Sequence, residues 1–391
     1  MLGLARSVLL RAIASTIAIA LSVEFGTAQQ GKTGQKNALR TPWGEPDLQG
    51  IWNGETLTPL QRPARFANMS VLTAEEAAKA EAEVDSRPGR DKRAKGGTEK
   101  DVAGAYNQAF FDRSPRSLHL VDRRTSLIID PPNGLLPPLT PEAQKRRAAI
   151  REYEQALLQG TSGGRPGPPS PRYFEPPPFY NVDRLNRAEG PEDRSLQERC
   201  LAWELPHLDT FYRIVQSPKQ VGIVVDAFQG QGFVRTIPVD GSKHLPASIR
   251  SYKGDARGHW EGDTLVVDIT NFSAKSDYLG SRQSRHVVER FKRVSQNRLE
   301  YTVTVEDPTT WTRPWTAMEP LEKASDKENQ IYEADCHEGN YGIIDMLTNM
   351  RAAEKLFMEG KGPNPRTMDI ATGGGVDPAD QKYSFGRAGA E

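Results

Sequence analysis

Residues 259–315 contain the stretches HWEGDTLVVDITNF and HVVERFKRVSQNRLEYTVTVEDPTTWTRPW, in which apolar and polar side chains alternate. Alternation puts the two kinds of side chain on opposite faces of an extended chain, a separation that a helix cannot make. Short segments of the same kind recur at 211–216, 221–228, 233–239, 247–252, 256–260, 264–272, 285–294, 298–306 and 317–323, each bounded by turn residues. A series this regular predicts a mainly β fold, an antiparallel barrel or sandwich. Val239-Asp240-Gly241 and Trp260-Glu261-Gly262-Asp263 suit hairpin turns, because glycine accepts the positive φ that tight turns need.

The segments at 285–294 and 298–306 predict one hairpin, closed by a loop of Ser295, Gln296 and Asn297 with Asn at the left-handed position. In that register Lys292 faces Glu300, Arg290 faces Thr302 and His286 faces Glu306, while Val287, Glu289 and Phe291 face Val305, Val303 and Tyr301. One face is polar; the other is apolar except for Glu289. If the polar face is solvated, its charge pairs contribute about 0.2–1 kcal/mol each and Glu289 sits at a rim. If a face lines a barrel lumen, His286 and Glu306 form a general acid/base pair, and Glu289, desolvated among apolar groups, has a raised pKa. Asp268 interrupts the apolar run 265–269 on the face of Val266 and Thr270. Such a carboxylate caps a turn or meets solvent, or, beside His286, orients the imidazole. The candidate catalytic set is therefore His286, Glu306, Glu289, Arg290 and Asp268.

His286 and Glu289 would share a face on a helix but point to opposite sides of a strand, so they cannot hold one metal together. Asp335, His337 and Asn340 offer ligands without a recognised zinc spacing. No metal or organic cofactor is expected. No Gly-rich phosphate loop opens a βαβ unit and no GxSxG elbow is present, which sets aside nicotinamide and α/β-hydrolase chemistry. Trp260, Tyr301, Trp311 and Trp315 are either core plugs or the walls of a ligand pocket.

The N-terminal half reads differently. Residues 44–52, GEPDLQGIW, suit a lead-in strand or docking arm. Thr73-Ala-Glu-Glu76 is a capping box opening a helix over 74–84, and a polar surface loop follows at 85–100. Residues 118–129 read as extended up to the Pro131-Pro132-Asn133-Gly134 turn, and Thr140-Pro141-Glu142 opens a second helix to 158. Glycine and proline crowd 160–178, as in a linker or a chain draped over a surface.

Arg6 and Arg11 precede an apolar run at 12–23, with Gly26 and Ala28 where a signal peptidase reads small residues. This predicts cleavage after Ala28 and a periplasmic or secreted protein. An uncleaved anchor is the alternative, but the run is shorter than the roughly 20 residues a bilayer demands. The expected organisation is a signal peptide at 1–28, an arm with helices and a Pro/Gly-rich linker at 29–190, an antiparallel β-barrel domain at 191–355 and a loose tail at 356–391. Lys plus Arg and Asp plus Glu each number 51, so no global field draws in nucleic acid or an anionic membrane. The expected partner is a small molecule, and no span is expected in the mature chain. The two cysteines, Cys200 and Cys336, read as a disulfide in an oxidising compartment, with a Cys336 nucleophile beside His337 and Glu338 as the alternative.

The strings DLQGIW, TSLIIDPPNG, ERC, HWEGDTLVVDITNF, HVVERF, TVEDP followed by PW, and DCHEGNY resemble a large family of exported bacterial proteins. The resemblance runs over most of 44–355 and supplies no shared catalytic residues. The β region is similar to lipocalin-like barrels, a likeness of fold that implies no function. The leading expectation is an exported enzyme whose acid/base side chains hydrolyse, eliminate or isomerise a small organic or glycosidic substrate in a barrel pocket. The alternatives are a carrier of an apolar metabolite and an interaction module whose Pro-rich half wraps a partner.

Overall fold

The computed structural model describes residues 39–85, 120–161, 164–180, 187–196, 198–201, 205–226, 233–324 and 340–367. The expected signal peptide, residues 86–100, Asp335 to Glu338 and the tail beyond 367 lie outside the described residues. The chain divides after Asp47 into two units. In the first, the N–H of Thr41 donates to Glu45 O at 2.8 Å and that of Gly44 to Thr41 O at 2.9 Å, closing a turn with Gly44 at φ +95°.

The second unit holds the sheet. Its strands are β1 (Gly50–Asn53), β2 (Ile128–Asp130), β3 (Phe211–Ser217), β4 (Gln220–Asp226), β5 (Phe233–Pro238), β6 (Asp255–Glu261), β7 (Thr264–Thr270), β8 (His286–Ser295), β9 (Arg298–Glu306) and β10 (Trp315–Lys323). They follow the order β5-β4-β3-β1-β10-β9-β8-β7-β6, with β2 added beside β10. Neighbours along this path pair antiparallel. With an odd number of strands in the path, β5 and β6 run in the same direction and no hairpin can join them. Side chains close that seam instead: a Cβ at Gly258 would lie 3.0 Å from both Ile237 and Val239. Glycine lets the two edges approach. The result is the expected mainly antiparallel β fold, a nearly closed barrel consistent with a lipocalin-like one.

Inward-facing Trp52, Tyr212, Ile223, Leu265, Phe291, Tyr301, Trp315 and Leu321 form one buried cluster. The segment read as a lead-in strand supplies β1, which sits between β3 and β10 and joins the two halves of the sheet.

The β8–β9 register is the predicted one: His286 pairs with Glu306, Glu289 with Val303, Arg290 with Thr302 and Lys292 with Glu300. The loop is not. Its turn is Gln296-Asn297, Ser295 pairs with Arg298, and the extra residue is absorbed by a bulge between Arg293 and Ser295. Asn297 is not among the residues with positive φ. A bulge in the strand and a longer loop consume the same residue, so the pairing comes out equal. The Gly262-Asp263 turn between β6 and β7 forms as expected, with Gly262 at φ +61°. Two other expectations fail. Residues 247–252 form no strand and keep only a bridge from Ser251 to Phe272, because Arg250 donates across to Phe272 O and Gln283 O. Gly241 takes its positive φ, but 239–254 is a long loop rather than a tight turn.

The capping box Thr73/Glu76 starts α1 (Ala74–Asp85), with Thr73 N–H donating to Glu76 Oε2 at 2.9 Å. Thr140 Oγ1 accepts from Ala143 N–H at 3.1 Å at the start of α2 (Pro141–Leu158). The Pro-rich stretch after it folds back: Tyr173, in a 3-10 turn at Pro171–Phe174, is buried against Tyr153 and Leu157 of α2. The sheet ends at Lys323, and a further helix, α3 (Tyr341–Met358), was not anticipated. Among the described residues no helix is long and apolar enough to cross a membrane.

Candidate functional site

Strand alternation decides which predicted residues meet. On β8 Val287, Glu289 and Phe291 are buried, while His286, Arg290 and Lys292 lie on the outer face. The polar face of the hairpin is therefore outside the barrel. Of the two alternatives for the hairpin this is the solvated polar face, and His286 and Glu306 do not line a lumen. It also separates them from Glu289, which does point inward.

The outer face carries a compact His–carboxylate cluster. His286 Nε2 lies 2.8 Å from Asp268 Oδ2, and His286 Nδ1 lies 3.7 Å from Glu306 Oε2. Asp268 thus stands beside His286 and also meets solvent. Its other oxygen, Oδ1, lies 2.8 Å from Nε2 of His244, whose Nδ1 lies 2.9 Å from Asp255 Oδ2. Asp255 Oδ1 lies 3.0 Å from Arg257 Nη1. The side chains of His286 and Asp268 are each 37% exposed, so solvent and small solutes reach them. Antiparallel register builds this from two adjacent rows of outward residues, one with Arg257 opposite Asp268 and the next with His286 opposite Glu306, so Asp268 and His286 meet on the diagonal. His244 comes from the loop 239–254. Arg290 stands apart, donating to Glu261 Oε2 at 2.7 Å, and that bond chiefly lowers the Glu261 pKa.

The inner face carries a different arrangement. Glu289, expected to be a lone carboxylate among apolar groups, receives both guanidinium Nη groups of Arg235 at 2.8 and 3.0 Å and the Tyr301 hydroxyl at 2.7 Å. Tyr301 packs beside Tyr212, whose hydroxyl donates to His207 O. That phenol oxygen also lies 3.4 Å from Glu319 Oε2. Burial pushes the Glu319 pKa well up, against the opposing hydrogen bond from Asp209 N–H. Burial likewise raises Tyr212 and Tyr301 far above the usual phenol value, with nearby carboxylates adding to it. It drives His207 well down, helped by the Arg235 and Lys253 cations, and neither ring nitrogen of His207 has a hydrogen-bond partner among the described residues.

The aromatic residues considered as pocket walls divide. Tyr301, Trp311 and Trp315 are buried in the core, with Trp311 and Trp315 edge to face at 5.8 Å. Trp260 is only partly buried against it. Asn340 caps α3, where its Oδ1 accepts from Ile343 N–H at 3.4 Å. Asp335 and His337 lie outside the described residues. No group of three His, Cys, Asp or Glu among the described residues is arranged to hold a metal ion.

Sequence reasoning missed His244, Asp255 and the interior partners Arg235, Tyr212, His207 and Glu319. Asp255 was legible in part, because DARGHWE places Asp255, Arg257, His259 and Glu261 on one face by alternation. His244 sits in a loop and carries no such signal. No protein-family model matches this chain, and no curated protein does either.

Proposed function

We propose that this is an exported enzyme whose acid/base work is done on the outer face of the barrel by His286, oriented by Asp268, on a small organic or glycosidic substrate. The observation that carries the reading is the partly exposed His286–Asp268 pair at 2.8 Å. An imidazole that donates from Nε2 to a carboxylate has its other nitrogen, Nδ1, available to take a proton. The Asp268 charge stabilises the imidazolium that forms, and Glu306 flanks the working nitrogen. Hydrolysis, elimination and isomerisation all begin with such a proton removal from water or carbon. The carrier reading draws less support, since it needs an open apolar lumen and the interior is occupied by Trp52, Trp315, Tyr212 and Tyr301.

Chromogenic esters, glycosides and enolisable ketones offered to the mature protein test the enzyme reading. His286→Ala and Glu306→Gln are each expected to lower turnover roughly a hundredfold with folding intact. Turnover that survives both changes removes the pair from the mechanism. The motif resemblance and the predicted leader support export to the periplasm or beyond. They also support a bond between buried Cys200 and Cys336, the latter outside the described residues. Such a bond would contribute about 2–5 kcal/mol. Two free thiols counted in the unfolded, unreduced mature protein would show that it does not form.

A further inference from the structure

The loop 239–254 is fastened at Arg250 to Lys253 and again at the short segment Lys243 to Leu245. Arg257 Nε donates to Lys243 O at 2.9 Å, Leu245 N–H donates to Asp255 Oδ2 at 2.8 Å, and Asn271 Nδ2 donates to Leu245 O at 2.9 Å. Between them stands His244, with each ring nitrogen against a carboxylate oxygen, Asp255 on β6 and Asp268 on β7. A neutral imidazole has one N–H and one bare nitrogen, and a bare nitrogen cannot bond to an ionised carboxylate. Two such bonds need the doubly protonated ring. Asp268 then accepts two charge-assisted bonds, one per oxygen, which removes its freedom to rotate away from His286.

We infer that His244 is a positioning residue of this site: a doubly protonated clamp that fixes Asp268 against His286 and holds the loop 239–254 across β6 and β7. The inference rests on the reading of His286 as the acid/base group. The charged groups that face the clamp are Asp255 and Arg257 from β6, Asp268 from β7, His286 from β8 and Glu306 from β9. The side chain touches no working nitrogen, so its influence on His286 passes through Asp268.

Long-range proton–nitrogen spectra of the labelled, full-length mature protein at neutral pH read this without any substrate. Both His244 nitrogens are expected to be protonated; a ring with one bare nitrogen overturns the clamp. His244→Gln keeps a donor toward one carboxylate only. It is expected to lower amide-exchange protection at Leu245 roughly tenfold and to move the His286 ring signals, and unmoved His286 signals overturn the positioning role. Should His244→Gln fail to fold, Asp255→Asn serves in its place, removing the second carboxylate from a native His244. A wild-type protein that shows the doubly protonated ring but turns over no substrate refutes the enzyme reading and leaves the clamp standing. A turnover that falls with His286→Ala but is indifferent to His244→Gln does the reverse.

Discussion

The two faces of β8 hold the same kinds of side chain, carboxylate and cation, yet they are built to different ends. Outside, His286, Asp268 and His244 are a third or so exposed and linked by bonds that protons can enter and leave. Inside, Arg235 and Glu289 are 5% and 1% exposed, bidentate, and backed by Tyr301. Charge in the interior is fixed because water cannot replace a lost partner, whereas charge on the surface can change state at little cost. A site that must exchange protons with a solute belongs on the first kind of face; a barrel that must keep one register benefits from the second.

The largest test of this contrast is to break one pair on each face. Arg235→Met leaves Glu289 buried without its cation and is expected to cost about 3–5 kcal/mol in denaturant unfolding. Adding Glu289→Leu should recover most of that, since two apolar residues of similar volume replace both charges. Asp268→Asn on the outer face is expected to cost no more than about 1 kcal/mol. Equal losses for Arg235→Met and Asp268→Asn would erase the distinction between the faces.

Next in size is the pH dependence of the interior. The Glu319 pKa lies well above the ordinary 4.5 in the fold, chiefly through burial. The unfolded chain ionises this carboxyl first, so it binds fewer protons than the folded one and stability falls as pH rises above the unfolded value. Glu319→Gln keeps an oxygen for Asp209 N–H but cannot ionise. Relative to wild type, the variant should gain about 1.4 kcal/mol per pH unit above that point until the folded-state pKa is reached. His207 has the opposite sign: its pKa is depressed, so the unfolded state takes up a proton first as pH falls below about 6.5 and stability is lost on the acid side. Parallel stability curves for wild type and Glu319→Gln between pH 5 and 8 would mean that Glu319 ionises freely in the fold.

Much of this architecture was legible and the decisive part was not, for a physical reason. Pairing inside the β8–β9 hairpin follows from local alternation, which is why Val287 against Val305 and Lys292 against Glu300 could be placed in advance. Which face turns inward depends on what waits there. Glu289 looked like a rim residue or a desolvated carboxylate because its partner, Arg235, lies 54 residues away on β5. Likewise His244 reaches Asp268 from a loop whose composition, including 247–252, mimics a strand, and only tertiary bonds from Arg250 and Asn271 reveal the loop. The α3 helix went unread because the β pattern was extended past its last strand to 355.

The smallest effect sharpens the outer face itself. Arg290 was grouped with His286 because both lie on the polar side of β8, but its guanidinium goes to Glu261 at the far end of the sheet strip, with both side chains nearly half exposed at 44% and 47%. An exposed pair of this kind holds two flexible side chains in place for little Coulomb gain and is screened by salt. Arg290→Ala is therefore expected to cost at most about 0.5 kcal/mol at low ionic strength, and nothing measurable in about 1 M salt. Chemical denaturation by urea at the two salt concentrations measures it, since urea adds no ions of its own. A loss that persists in high salt would mean that the stem of Arg290 packs on the strand and contributes by contact rather than charge. In that case the outer face is less purely electrostatic than its pairs suggest, and the line drawn between it and the Arg235–Glu289 interior must move outward by one residue.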